Sequence, residues 1–429
     1  METNETKKAS LFSFSKNFWT VIVMEFFERG SYYGMMSILS VYMVDQLSYS
    51  KESVGVIKST ITPLLYILPI LSGAIGDRYG YRKTLMFAFT FLGLGYFLVS
   101  QTTEYAMVFA SLLIMAVGAG TFKPMISGTI ARETNQSNST FGFGIFYWTI
   151  NLGAFLFPLI LVPYIKNSFG WNYVMMASAF FTAIMLIPNY FLYKEPKKPE
   201  STKSLGQVLN EMILVLTNYK FIGLIVIYSG FWILYFQMFD SVLWYVQDYV
   251  DATSLNNGVN SLFGAVGINF VWKFDVEHVT VINAGTIILL QIVVSSIVKN
   301  TKALPTMITG ISMGTIGMAI LAISTDIWVF MIGIIVFSIG EMTAHPKFIS
   351  YVGLIAPADK KALYLGYSFL YGVIGSGVGG ILGASLYVHF VDNLKNPTML
   401  WLIFASIGVA TIIGLLLYNK YLAPKTVDV

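Results

Sequence analysis

Apolar runs long enough to cross a bilayer follow one another along almost the whole chain, and no stretch between them is long enough for a soluble domain. A spanning helix needs about 20 such residues. Reading for these runs predicts twelve segments, at about 17–44, 53–76, 84–101, 105–131, 141–166, 170–193, 219–250, 275–298, 304–324, 327–355, 363–390 and 398–420. Composition agrees: 56% of residues are hydrophobic and 11% charged, against about 25% charged in soluble domains. The expected fold class is an all-α membrane protein, with the lipid bilayer as its surroundings.

Most connections are short, and two are longer. The tract KEPKKPESTK between segments six and seven is charged, bears prolines and cannot pack. It divides the chain into an N-terminal six-helix half (1–193), a cytoplasmic linker (194–218) and a C-terminal six-helix half (219–429). Within the linker, SLGQVLNEMILVLTN reads either as a surface amphipathic helix or as the start of segment seven. The second long connection, DATSLNNGVNSLFGAVG, reads as a flexible external loop. With the N-terminus inside, eighteen of the 26 Lys and Arg fall on inner loops and termini, and four, Lys51, Lys166, Lys273 and Lys395, on outer loops. That bias puts both termini in the cytoplasm of a multi-pass plasma-membrane protein. The first residues lack an h-region with a cleavage site, so no cleaved signal peptide is expected. The net charge of +4 is spread over short loops, which argues against a nucleic-acid partner. There is no cysteine, which excludes disulfides, thiolate metal sites and cysteine nucleophiles.

Ionisable residues inside such segments are expensive and mark function. Segment 1 holds three within five residues, Glu25, Glu28 and Arg29, in MEFFERGSYYGM. Glu25 and Arg29 are four apart and share a helix face, which Tyr32 and Tyr33 continue. Glu28 points partly elsewhere. If Arg29 turns to a bound anion, a carboxylate loses its partner and takes up a proton, coupling proton binding to substrate binding without a cofactor.

Segment 4 offers Lys123 before Pro124, read as a buried lysine inviting an anion. Segment 5 offers Tyr147 and Asn151, segment 7 Trp232, Gln237 and Asp240, and segment 8 Asn283. Segment 10 carries Glu341, with His345 one turn on, open between a partner for Glu341 and a core histidine. The charges thus select segments 1, 4, 7 and 10. Cations (Arg29, Lys123) lie in one half and acids (Asp240, Glu341) in the other, a dipolar lining that suits a zwitterion such as a short peptide or an amino acid.

Two further patterns bear on the fold. GAIGDRYGYRK, Gly73 to Lys83, resembles the loop signature of the major facilitator superfamily, whose plan of two six-helix halves the segment count also fits. Asp77, Arg78 and Arg82 in it read as gating residues rather than substrate contacts. In segment 11, Gly375, Gly379 and Gly383 make a small-residue face for close helix packing.

Together these residues resemble the proton-dependent oligopeptide transporter family, also called the peptide transporter family, over nearly all of the chain. EFFERGSYYG resembles its Glu-x-x-Glu-Arg-Phe-x-Tyr-Tyr motif, with Gly30 in place of the phenylalanine. FYWTINLG, Phe146 to Gly153, resembles its Phe-Tyr-x-x-Ile-Asn-x-Gly motif. The resemblance implies that Arg29 and Lys123 hold a peptide carboxylate, and that Asn151, Asn283 and Glu341 hold the amino terminus. Tyr32, Tyr33 and Trp232 shape side-chain pockets, and Glu25, Glu28 and Arg29 couple protons.

There are departures. The family's helix 7 glutamate is Phe236 here, and its second helix 1 arginine is Met36. This outer charge pair is lost as a pair, which can be nearly neutral where losing one partner is not. Asp240, one turn beyond Phe236, is the expected replacement acid, directed at Arg29 or Lys58. The family's helix 11 tryptophan is Ser368, Ala284 stands where proline is usual, and 194–218 is too short for the two extra helices of bacterial members.

The implied function is a proton-coupled symporter importing di- and tripeptides by alternating access, without cofactor or metal and as a monomer. Alternatives are a related carrier of another zwitterionic or anionic solute (amino acid, nitrate) and a non-transporting nutrient sensor. The tail YLAPKTVDV is too short for a signalling segment. No Ser-His-Asp set or His/Asp metal cluster appears, and the three histidines lie on different segments, so no enzyme is expected.

Overall fold

The computed structural model of the chain describes residues 14–135, 138–196, 204–357 and 360–423. Residues 197–203 of the linker, and Lys7, Lys8 and Lys425 of the expected inner basic set, lie outside them.

Among the described residues are eighteen α-helices and no strand. They are α1 (Lys16–Val41), α2 (Lys51–Tyr79), α3 (Tyr81–Gln101), α4 (Tyr105–Glu133), α5 (Ser139–Leu156), α6 (Val162–Phe169), α7 (Trp171–Ile184), α8 (Leu186–Phe191), α9 (Leu205–Leu216) and α10 (Tyr219–Phe236). There follow α11 (Ser241–Tyr249), α12 (Thr253–Ala265), α13 (His278–Val298), α14 (Ala303–Ile320), α15 (Ile327–Ile355), α16 (Lys361–Tyr367), α17 (Leu370–Tyr387) and α18 (Pro397–Tyr421). Several join end to end, and eleven stretches are long and apolar enough to cross a membrane. α1, with 26 residues, is not one of the eleven. It has the length, but every membrane-length part of it includes Glu25, Glu28 and Arg29. With α1 the count reaches the twelve expected. The chain is a multi-pass, all-α membrane protein.

The linker sequence from Leu205 forms a helix of its own, α9, separate from α10. The expected continuous segment seven is instead broken. α10 ends at Phe236, a 3₁₀ turn covers Gln237–Phe239, and Asp240 leaves helical geometry at φ −138°, ψ −92° before α11. The expected flexible loop after it holds the 13-residue helix α12.

The chain divides into two compact units. Unit 1 comprises Met1–Met35 with Leu64–Asn210, and unit 2 comprises Met36–Pro63 with Glu211–Val429. The cut passes through α1 and α2, so the hairpin end of this helix pair folds with the later helices.

Small residues set the helix spacing inside each unit. In unit 1, a Cβ at Gly118 would meet Leu92 N at 2.6 Å and Ala88 O at 2.8 Å, so α3 and α4 touch backbone to backbone. In unit 2, Gly310 and Gly340 do the same for α14 and α15. The glycine face of α17 packs on α10, where a Cβ at Gly375 would lie 2.6 Å from Trp232 Cβ.

Candidate functional site

In unit 1, α1 buries its three charges almost completely: Glu25, Glu28 and Arg29 are 2%, 0% and 3% exposed. The shared helix face does bring Glu25 near Arg29, but Glu28 makes the closer pair. Arg29 Nη2 donates to Glu28 Oε1 at 2.6 Å, and Arg29 Nε donates to Glu28 Oε2. This is a forked, charge-assisted pair, made by the long guanidinium folding back on its neighbour. Glu25 Oε1 stands 3.8 Å from Arg29 Nε, and Glu25 Oε2 is buried with no partner among the described residues. The guanidinium also lies 4.8 Å from the Tyr32 ring and 5.9 Å from the Phe122 ring, within cation–π range. Tyr32 and Tyr33 are half-buried, edge to face at 5.3 Å.

Lys123 on α4 is exposed rather than buried. Its ammonium lies 5.6 Å from the Tyr66 ring, and among the described residues of unit 1 no carboxylate pairs with it. On α5, Tyr147 is exposed and Asn151 buried, and Asn151 Nδ2 donates to Tyr147 O at 2.9 Å.

The departure at Gly30 has a packing cause. A Cβ there would stand 2.4 Å from the ring of Phe157, and one at Gly153 would stand 2.9 Å from Gly30 N. α1 and α5 therefore meet backbone to backbone, and Phe157 covers the bare site. The ring packs edge to face on Phe26 at 5.7 Å and on Phe181 at 5.5 Å.

The Gly73–Lys83 signature forms the turn from α2 to α3. Gly80 takes φ +100°, a conformation open to glycine, which lets α3 start at the next residue. Glu195 caps that start, accepting from Tyr81 N at 2.6 Å and Arg82 N at 2.9 Å, where the helix dipole favours an anion. Asp77 pairs with Arg132 of α4 at 2.6 Å and accepts from Tyr81 Oη at 3.0 Å. Arg82 donates to Tyr190 O. Arg78 is exposed, its guanidinium 5.5 Å from the Tyr79 ring.

In unit 2, Asn283 of α13 and Glu341 of α15 come together: Asn283 Nδ2 donates to Glu341 Oε2 at 3.1 Å and to Ser338 Oγ at 2.9 Å. One turn on, His345 meets the Trp232 ring edge to face at 5.3 Å, and Trp232 stacks on Tyr371 at 4.5 Å. His345 sits in an aromatic cluster. Lys347 donates to Thr301 O at 2.7 Å. Gln237 is fully buried, and its amide is taken up by helix packing. Nε2 donates to Ile233 O and Gly379 O, both at 3.0 Å, and Oε1 accepts from Ser241 at 2.7 Å. Both amide hydrogens of Gln237 are thus taken by backbone carbonyls.

Asp240 pairs with Lys58 of α2 at 3.2 Å, both side chains buried. Ser40 of α1 donates to Asp240 Oδ1 and to Phe239 O, and Lys58 Nζ lies 3.5 Å from Phe239 O. A small cavity beside the pair is lined by Met36, Lys58, Thr62, Phe236, Phe239, Asp240 and Ser376. Met36 and Phe236, the two positions where the family's charge pair is missing, therefore border the pair that is present. Of the two partners expected for Asp240, Lys58 is the one it has in unit 2.

Ser40, Arg132, Glu195 and Phe157 were not singled out from the sequence. Arg132 and Glu195 are charges at segment ends, indistinguishable by composition from ordinary loop charges. Phe157 had a signal: a glycine in place of an aromatic residue implies a ring from elsewhere.

The sequence profile of the Major Facilitator Superfamily matches residues 21–274. The dipeptide and tripeptide permease A of Escherichia coli (strain K12) is 29% identical over 238 residues, 54% of this chain and 47% of that protein. The dipeptide and tripeptide permease B of Aliivibrio fischeri (strain MJ11) is 34% identical over 170 residues, 39% of this chain and 34% of that protein. The chain thus spans about half the length of the curated relatives it matches, or less. A crystal structure of a POT family transporter in complex with 5-aminolevulinic acid superposes with a TM-score of 0.77 at 22% identity, covering 98% of this chain and 100% of that one. At that identity the likeness concerns the fold.

Proposed function

The chain belongs to the Major Facilitator Superfamily, and from that premise we propose that it is a symporter carrying di- and tripeptides across the plasma membrane with protons, by alternating access. The permease relatives support the substrate class. Two observations, one within each unit, carry the reading: unit 1 holds Arg29 and an exposed Lys123 that no carboxylate pairs with among its described residues, and unit 2 holds Glu341 bonded to Asn283. Cations suit a peptide carboxylate and the acid suits its amino terminus. Tyr32, Tyr33, Tyr147, Asn151 and Trp232 complete the proposed substrate contacts. Gln237 is assigned to packing.

In the proton cycle Glu28 holds Arg29, and Glu25, with an oxygen that accepts nothing among the described residues, carries the proton. Substrate carboxylate drawn to Arg29 weakens what little pairing Glu25 has and favours its protonation. Asp240 and Lys58 tie the hairpin end of α1 and α2 to the break between α10 and α11. Asp77 with Arg132 latches the other end of α2 to α4, and Arg82 with Tyr190 holds the start of α3 to α8. Both termini lie in the cytoplasm, by the bias of basic loops, and the working unit is a monomer.

Uptake of labelled dipeptide into proteoliposomes with an imposed inward proton gradient tests this. The wild type accumulates peptide, and Lys123→Ala loses uptake while remaining folded. If Lys123→Ala transports as well as wild type, the carboxylate assignment is wrong. Because the POT transporter was solved with 5-aminolevulinic acid, small amino acids belong beside peptides in a thermal-shift screen. Stabilisation by amino acids and none by peptides would move the substrate class.

A further inference from the structure

After α11 the chain builds an ordered hairpin that the transport scheme does not use. α12 (Thr253–Ala265) leads out and residues 266–277 return. Asn260 locks the arms together: Nδ2 donates to Trp272 O at 2.9 Å and Oδ1 accepts from Trp272 N at 2.7 Å. Asn256 Oδ1 accepts from Phe274 N at 2.8 Å. The base is fixed to the turn before α15, where Asp251 N donates to Thr325 O at 3.0 Å and Ile327 N donates to Asp251 O at 3.3 Å.

No residue of its helix is fully buried, and Leu255, Val259 and Phe263 are half-buried. Leu255, Val259, Leu262, Phe263 and Val266 recur at helical spacing on one face, and Ile268, Phe270 and Val271 extend the apolar surface along the return arm. Leu262, Val266, Phe270 and Val271 are 69%, 70%, 60% and 83% exposed. No charged residue stands between Asp251 and Lys273.

We propose that this hairpin is a lipid anchor of unit 2, its apolar tip sunk into the bilayer interface that borders it. The choice of lipid rests on continuity. The return arm runs directly into α13, a membrane span little buried inside the protein, so the hairpin stands where a lipid-crossing helix begins. The uncharged run offers a charged protein partner nothing to complement. Asn256 and Asn260 satisfy the backbone of Trp272 and Phe274 at the foot of the return arm and hold the two arms together. Trp272 and Lys273 at the base have the interfacial character of residues that mark the membrane boundary.

The chain has no cysteine, so Phe270→Cys, Val271→Cys and Ser261→Cys each create a single labelling site. Each variant, carrying an environment-sensitive fluorophore and shown to keep the wild-type unfolding midpoint, is reconstituted in proteoliposomes. Labels at 270 and 271 should emit blue-shifted light, be quenched by nitroxides on lipid acyl chains and escape aqueous iodide. The label at Ser261, on the polar face, should be reached by iodide. If all three are quenched alike by iodide and untouched by lipid nitroxides, the anchor is refuted. Labels at 270 and 271 shielded from both quenchers would equally refute it and point to a second copy of the chain over the tip.

Discussion

Each unit buries charge, and the two do so in opposite ways. In unit 1 the charges are local, on consecutive turns of α1, and uneven: two carboxylates face one guanidinium. Glu28 saturates the fork of Arg29 and leaves a Glu25 oxygen unpartnered. In unit 2 the network around Asp240 is distant in sequence and even: one ammonium, one carboxylate and a hydroxyl, Lys58, Asp240 and Ser40, drawn from three helical segments. An uneven network can gain a proton without losing a helix contact. An even one cannot, because neutralising either partner strands the other in a low-dielectric site. The first arrangement suits a carrier of protons and the second a tie between helices.

The heaviest blow to this contrast is Arg29→Met, which leaves two buried carboxylates without a cation. Removing one partner of a buried pair costs about 3–5 kcal/mol, and thermal unfolding in detergent should show a loss at least that large. A wild-type midpoint would mean that Glu25 and Glu28 do not depend on Arg29.

Next comes Asp240→Leu, expected to destabilise by about 3–5 kcal/mol because Lys58 is left buried and unpaired. The double variant Lys58→Met/Asp240→Leu should recover most of the loss. Additive losses would show that the pair is not the tie described here.

Gly30→Ala probes the geometry beneath the unit 1 network. The added methyl meets Phe157 and should cost about 1–3 kcal/mol, and Phe157→Ala in the same chain should return part of it. A neutral Gly30→Ala would deny the close approach of α1 and α5.

The smallest effect on stability is expected of Glu25→Gln, within about 1 kcal/mol, since the side chain has no short hydrogen bond to lose. A large loss, measured in the same unfolding assay, would make Glu25 structural and erase the difference between the units.

Much of the architecture could be read from hydropathy alone, because a bilayer admits few solutions for an apolar run of membrane length. The small-residue face of α17 was visible for the same reason: glycine at every fourth position has one efficient use in lipid. The break at Asp240 was not visible. A run of aromatic and aliphatic residues hides where a helix yields, and what ends it is a carboxylate engaged with partners on two other helical segments. Helical spacing brings Glu25 within 3.8 Å of Arg29, but it could not show that Glu28 holds the guanidinium more tightly, because spacing places backbones while a guanidinium reaches back to its neighbour. Gln237 looked like a polar lining residue, and its amide serves α10 and α17. The ordered hairpin after α11 escaped notice because its staples are asparagine side chains paired to a backbone far along the loop.

The contrast comes down to whether Glu25 carries the proton. The measurement is dipeptide transport by Glu25→Gln in proteoliposomes, as peptide exchange without a gradient and as accumulation under an inward proton gradient. The account predicts exchange close to wild type and no gradient-driven accumulation. Accumulation equal to wild type would contradict it.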